Sequence, residues 1–148
     1  MATTWPAAWR RPSRFASLLL ALALACCDGG AAAPPPAAAG KKSIDSNDGR
    51  YKVELETKPA AIEVNQPFDV TVTVTPKAGP AKDLAVVVDA RMPAHFHGMN
   101  RTAKVTSAGP NIWKAEGLVF HMPGHWELYV DITEGGSTER AQMDVNLK

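Results

Sequence analysis

Alternation with a period of two constrains this chain more than anything else. Phe68, Val70, Val72 and Val74 alternate with Asp69, Thr71, Thr73 and Thr75. Trp126, Leu128, Val130 and Ile132 alternate with Glu127, Tyr129 and Asp131 in the same way. Side chains on a strand point to opposite faces in turn, so each run predicts a strand with one buried face. Tyr51, Val53 and Leu55 repeat the pattern, and so do Ala141, Met143, Val145 and Leu147. Ile62 and Val64, bounded by Pro59 and Pro67, suggest a short edge piece. Leu84–Val88 is continuously apolar, which predicts a more deeply covered strand. Thr102–Thr106 and Ile112–Phe120 add two more, with Gly117 expected at a bulge or close approach. No stretch has a helical period. About seven strands within roughly 100 residues predict an all-β fold, an immunoglobulin-like antiparallel β-sandwich over residues 51–148. Trp113 and Trp126 are expected in its core.

The residues before Tyr51 read differently. Arg10, Arg11 and Arg14 precede an apolar run, Phe15–Ala25, that is too short for a membrane-spanning helix. It reads as a signal peptide over residues 1–25. Ala23-Leu24-Ala25 before Cys26 resembles a bacterial lipobox, with Cys26 as the acylated residue. Plain secretion, with the thiols left at a frayed terminus, is the alternative. The stretch from Gly29 to Gly40 holds Ala31-Ala32-Ala33 and Pro34-Pro35-Pro36 and has too little side chain for a core. With the polar run Lys41–Arg50 it is expected to be a tether, so that residues 26–50 hang the domain from a membrane facing the periplasm or cell exterior.

Charge and cysteine usage exclude several functions. Past the signal, 13 Lys and Arg face 15 Asp and Glu, a net charge of −2 that argues against nucleic acid as a partner. Both cysteines, Cys26 and Cys27, precede the folded part. Neither a blue-copper centre, which needs a Cys ligand, nor a Cys-rich zinc site can therefore be built there.

Two short stretches concentrate the remaining chemistry. Met92-Pro93-Ala94-His95-Phe96-His97-Gly98-Met99 and His121-Met122-Pro123-Gly124-His125 contain all four histidines and three of the five methionines. Both include Met-Pro-small-His, with Pro-Ala suiting a type I turn and Pro-Gly a type II turn. In an up-and-down sandwich, turns with two strands between them lie at the same pole, so these two are expected to meet. Thioethers select Cu(I), and imidazole accepts Cu(I), Cu(II) or zinc. The expected site is copper, Cu(I) favoured and zinc the alternative, held by His95, His97 and His121 with Met99 or Met122. Met92 and His125 are further candidates, His125 on the strand face away from Trp126. If the first stretch is extended, His95 and His97 project to one side, and Phe96 elsewhere as a shield. Individually, each of these residues has a plainer explanation in turns, hydrogen bonding or core filling. No Ser/His/Asp arrangement, paired carboxylate or phosphate loop stands out, so no enzyme is expected.

Asp89-Ala90-Arg91-Met92-Pro93, His97-Gly98-Met99-Asn100 and Gly117–Leu128, with its Met-Pro-Gly-x-Trp segment, resemble the exported YtkA-like domains and, more distantly, the FixH-like proteins. The resemblance spans roughly Tyr51–Lys148. It implies an immunoglobulin-like sandwich outside the cytoplasmic membrane, in a group associated with copper handling and respiratory oxidase assembly. An oxidase-assembly or copper-transport protein is the partner it implies, whether the domain carries metal or docks without it.

Overall fold

A computed structural model describes residues 40–148. The expected signal peptide, Cys26 and the stretch to residue 39 lie outside the described residues. Nine strands follow in order: β1 (Lys41–Asp45), β2 (Tyr51–Lys58), β3 (Pro67–Pro76), β4 (Ala85–Met92), β5 (His97–Gly98), β6 (Lys104–Gly109), β7 (Ile112–Val119), β8 (Gly124–Glu134) and β9 (Ser137–Leu147). A single 3-10 turn, Pro93–His95, separates β4 from β5.

The strands form two antiparallel sheets, β1-β2-β3-β7-β6 and β5-β4-β8-β9. Apart from β1, this is the A-B-E-D and C′-C-F-G order of an immunoglobulin-like sandwich. The alternating runs face inward as expected. Val70, Val72, Leu128, Val130 and Ile132 are fully buried between the sheets, with Val53, Leu55, Phe68 and Phe120. Trp126 is fully buried in this core near the start of β8, whereas Trp113 is only partly buried and packs against it. Gly117 has φ +78, and its N–H donates to the Asp69 carboxylate at 3.1 Å where the β3–β7 register shifts, as its position implied.

Three expectations are corrected. Lys41–Asp45, read as tether, is a strand paired with β2 from Lys41–Glu56 to Asp45–Lys52. It escapes a hydrophobicity reading because an edge strand with a mostly exposed face needs no apolar alternation. The following turn is fixed by a buried charge: Glu139, 2% exposed, accepts from the Ser46 hydroxyl at 2.6 Å and the Arg50 N–H at 3.2 Å. Ile62 and Val64 lie in a loop, half-buried, and form no strand. Leu84–Val88 is not deeply covered, for Val87 is 56% exposed on the outer face of its sheet. With β1, which lies ahead of the expected 51–148 boundary, and the two-residue β5, the strands among the described residues number nine, consistent with the expected sandwich.

Candidate functional site at one pole of the sandwich

The 3-10 turn after β4 and the turn between β7 and β8 meet at the same pole, as the strand parity predicted. Both are tight for local reasons. Pro93 opens the first, and Phe96 closes it in the left-handed region (φ 56, ψ 32) with its N–H donating to the Pro93 carbonyl at 3.3 Å. Gly124 ends the second at φ +121, where a β-carbon is strained. A β-carbon added there would also lie 2.5 Å from Cε of Met92. The two Met-Pro stretches are thus keyed together through the Met92 methyl group and the bare Gly124 backbone.

The floor of the site is aromatic. Phe120 stacks on Trp126 with ring centres 4.7 Å apart and planes 5° from parallel, and Phe68 meets Phe120 edge-on at 5.0 Å. The indole N–H of Trp126 donates to the Met122 carbonyl at 2.9 Å, latching the turn to the first residues of β8. Sequence reading treated Trp126 only as core. Its separation of four residues from Met122, across a Pro-Gly turn, was the available signal for the latch.

On this floor stand three imidazoles in a row. His95 and His97 have ring centres 5.8 Å apart, and His97 and His121 5.1 Å apart. His97 and His121 both meet Trp126 edge to face, at 5.9 and 5.4 Å. Two imidazoles sharing a metal at about 2.0–2.1 Å per nitrogen would have centres about 5 to 6.5 Å apart, depending on the angle at the metal. The His97–His121 pair falls in that range. Among the described residues, however, no three His, Cys, Asp or Glu side chains converge into a preformed metal-holding group. Any third ligand to the pair therefore has to be a thioether or arrive by rearrangement.

The ring nitrogens are not equivalent. Nδ1 of His97 lies 2.9 Å from the Gly98 carbonyl, which can only accept, so this nitrogen carries a proton and the neutral ring would present its lone pair at Nε2. A backbone carbonyl holding the remote N–H is the usual support of a ligating imidazole. Nδ1 of His121 is closed off from solvent and has no hydrogen-bond partner. Buried polar nitrogens are rarely left so, because the missing hydrogen bond costs about 1–3 kcal/mol. A metal at that nitrogen would supply the missing partner, and the donor set therefore fits a soft or borderline ion.

The other candidates are placed differently. Met99 and Met122 pack, partly buried, against the core at this pole. Met92 is 2% exposed and belongs to the core itself. His125 projects from the outer face of β8, where its Nε2 lies 3.3 Å from Asp144, apart from the row. His95 and His97 come together through the 3-10 turn, not through an extended loop. Phe96, expected as a shield, is 97% exposed and covers nothing. A groove of about 560 Å³ runs beside His97, walled by Asp89, Arg91, Tyr129, Pro93 and Phe96. Its polar walls are already engaged, Arg91 with Glu127 and the Tyr129 hydroxyl with Asp89.

The fold is an immunoglobulin-like antiparallel sandwich with histidines and methionines gathered at one end. The chain belongs to the YtkA-like family, whose model matches residues 45–131. The match begins within β1, ahead of the Tyr51 boundary drawn from the alternation. YtkA-like domains are not a known enzyme family. Neither the curated proteins nor the solved structures compared with the chain gave a match.

Proposed function

We propose that this is an exported, lipid-anchored domain that binds copper at its histidine pole and carries or buffers it, without catalysing a reaction. In this reading Nε2 of His97 and Nδ1 of His121 are the first two ligands. Met99 or Met122 supplies sulfur and His95 stands by for exchange, while Met92 and His125 contribute least. Acylation of Cys26 holds the domain at the membrane. An oxidase-assembly or copper-transport protein is the proposed recipient or donor.

The observation that carries the reading is the buried, partnerless Nδ1 of His121 beside a second imidazole at 5.1 Å. Cu(I) is favoured over zinc because it is content with two nitrogens and a thioether, whereas zinc sites call for four ligands. The test is a Cu(I) titration of the mature protein against a competing chelator. Tight binding that is lost in His97→Ala and His121→Ala supports copper, and binding that is absent or indifferent to both removes it.

A second reading is a metal-free module that docks on a membrane complex. It is favoured by the absence of a three-ligand cluster among the described residues and by the uncovered Phe96. Capture of a membrane complex that persists after complete metal removal would support it.

A further inference from the structure

We propose that the histidine pole is the membrane-facing end of the domain and that Phe96 rests on the lipid surface there. The proposal depends on the anchored reading above, though not on copper. It starts from where the chain joins the sandwich. The Gly40 carbonyl accepts from the Thr57 N–H at 2.7 Å, and a β-carbon added at Gly40 would lie 3.5 Å from Ala60 in the loop after β2. That loop is fastened to the histidine turn, since the Asn65 N–H donates to the Phe120 carbonyl at 2.8 Å. From Gly40, β1 runs away from this pole, Lys41 opposite Glu56 and Asp45 opposite Lys52. The tether and the histidines therefore share one end of the domain.

Lengths decide how much this orients the molecule. Gly40 is fourteen residue steps along the chain from Cys26. A flexible segment of that length spans about 20 Å on average, and even a fully extended polyproline-like one only about 43 Å. The 11 residues of β8 alone run about 37 Å from the histidine pole to the Gly135-Gly136 turn. As a flexible tether this segment would span less on average than the domain, which would keep the joined pole near the bilayer and the opposite turn away from it.

The surface at that pole suits lipid. Phe96 is 97% exposed and held outward by a left-handed backbone that a large side chain rarely adopts. Around this end Lys42, Lys58, Arg101, Lys104 and Lys148 are exposed and make no ion pair among the described residues, against Glu56 and Glu63 in the same condition and Asp144, whose partner is His125. An aromatic tip among surplus cations matches an anionic lipid interface. A stable protein interface would need about 800 Å² per partner, with an apolar centre that one phenyl ring does not provide.

The test uses the full chain, processed and acylated in a bacterial host, then reconstituted into vesicles of phosphatidylethanolamine and phosphatidylglycerol. Ala94→Cys, beside Phe96, and Ser137→Cys, at the opposite pole, are reacted with a membrane-impermeant polymer maleimide, with the chain lacking an added cysteine as baseline for Cys27. Ala94→Cys should react several-fold more slowly than Ser137→Cys on vesicles and equally fast in detergent, and Phe96→Ser should remove most of the protection. Equal rates on vesicles would overturn the proposal. So would protection seen in native membranes but not in protein-free vesicles, which would assign the pole to a protein partner. A chain that does not stay on the vesicles would overturn both this proposal and the anchored reading, whereas the copper titration is read independently.

Discussion

Replacing Gly124 with Ala tests whether the two Met-Pro turns are keyed together as described. The added β-carbon would sit 2.5 Å from Met92 Cε, about 1 to 1.5 Å inside ordinary carbon contact. Met92 is 2% exposed, so its end must move within packed surroundings, at a cost of about 1–3 kcal/mol. The backbone at φ +121 adds strain for any residue with a β-carbon, of order 1–3 kcal/mol. Together these predict a destabilisation of about 2–6 kcal/mol, a large part of the 5–15 kcal/mol typical of such domains. Urea unfolding followed by tryptophan emission would read this as a midpoint lowered by about 1–3 M. Met92→Ala alone should cost about 2–5 kcal/mol by leaving a cavity. The double variant should then cost less than the sum by about 1–3 kcal/mol, because only the contact is relieved and the backbone strain stays. A Gly124→Ala protein within about 0.5 kcal/mol of the parent, or a strictly additive double variant, would refute the keyed contact.

Other predictions follow from the same geometry. Met92→Leu, which keeps volume but removes sulfur, should cost under about 1.5 kcal/mol and leave Cu(I) affinity unchanged; a large loss of affinity in the chelator titration would make Met92 a ligand after all. His125→Ala should also leave affinity unchanged, whereas His121→Ala should lower it by on the order of 100-fold or more, and equal losses in the two would contradict the row of three. Burial and the Glu134 carboxylate push the Tyr51 phenol from 10.0 up to about 12. Since the folded value lies above the unfolded one, this stabilising contribution is complete below pH 10 and is lost as pH rises toward about 12. The stability advantage of the parent over Tyr51→Phe should shrink across that window in urea melts, and a constant difference would contradict it.

Much of this was legible from residue order because burial enforces period two. The strands with clean alternation, β2, β3, β8 and β9, announced themselves, from Tyr51-x-Val53-x-Leu55 to Ala141-x-Met143. Strand parity was enough to bring the two histidine turns to one pole. What escaped notice was whatever burial does not dictate. β1 is held by edge hydrogen bonds and by Glu139, so its Lys-Lys-Ser-Ile-Asp sequence resembles a linker. Val87 belongs to an apolar run, yet it looks outward because alternation continues through the run whatever the residue type. The row of imidazoles depends on Phe96 taking a left-handed conformation, which nothing in the composition of Pro-Ala-His-Phe-His announces. Likewise, a ring nitrogen left without a partner at His121 is a fact of three-dimensional packing, with no counterpart along the chain.

Nitrogen-15 NMR of the imidazoles, recorded on the mature domain before and after one equivalent of Cu(I), tests the account most directly. Nε2 of His97 and Nδ1 of His121 should shift together in step with added metal, with Nδ1 of His97 keeping its proton and both nitrogens of His125 unmoved. If neither His97 nor His121 responds, or if His125 and Asp144 take up the ion instead, the pole is not a copper site.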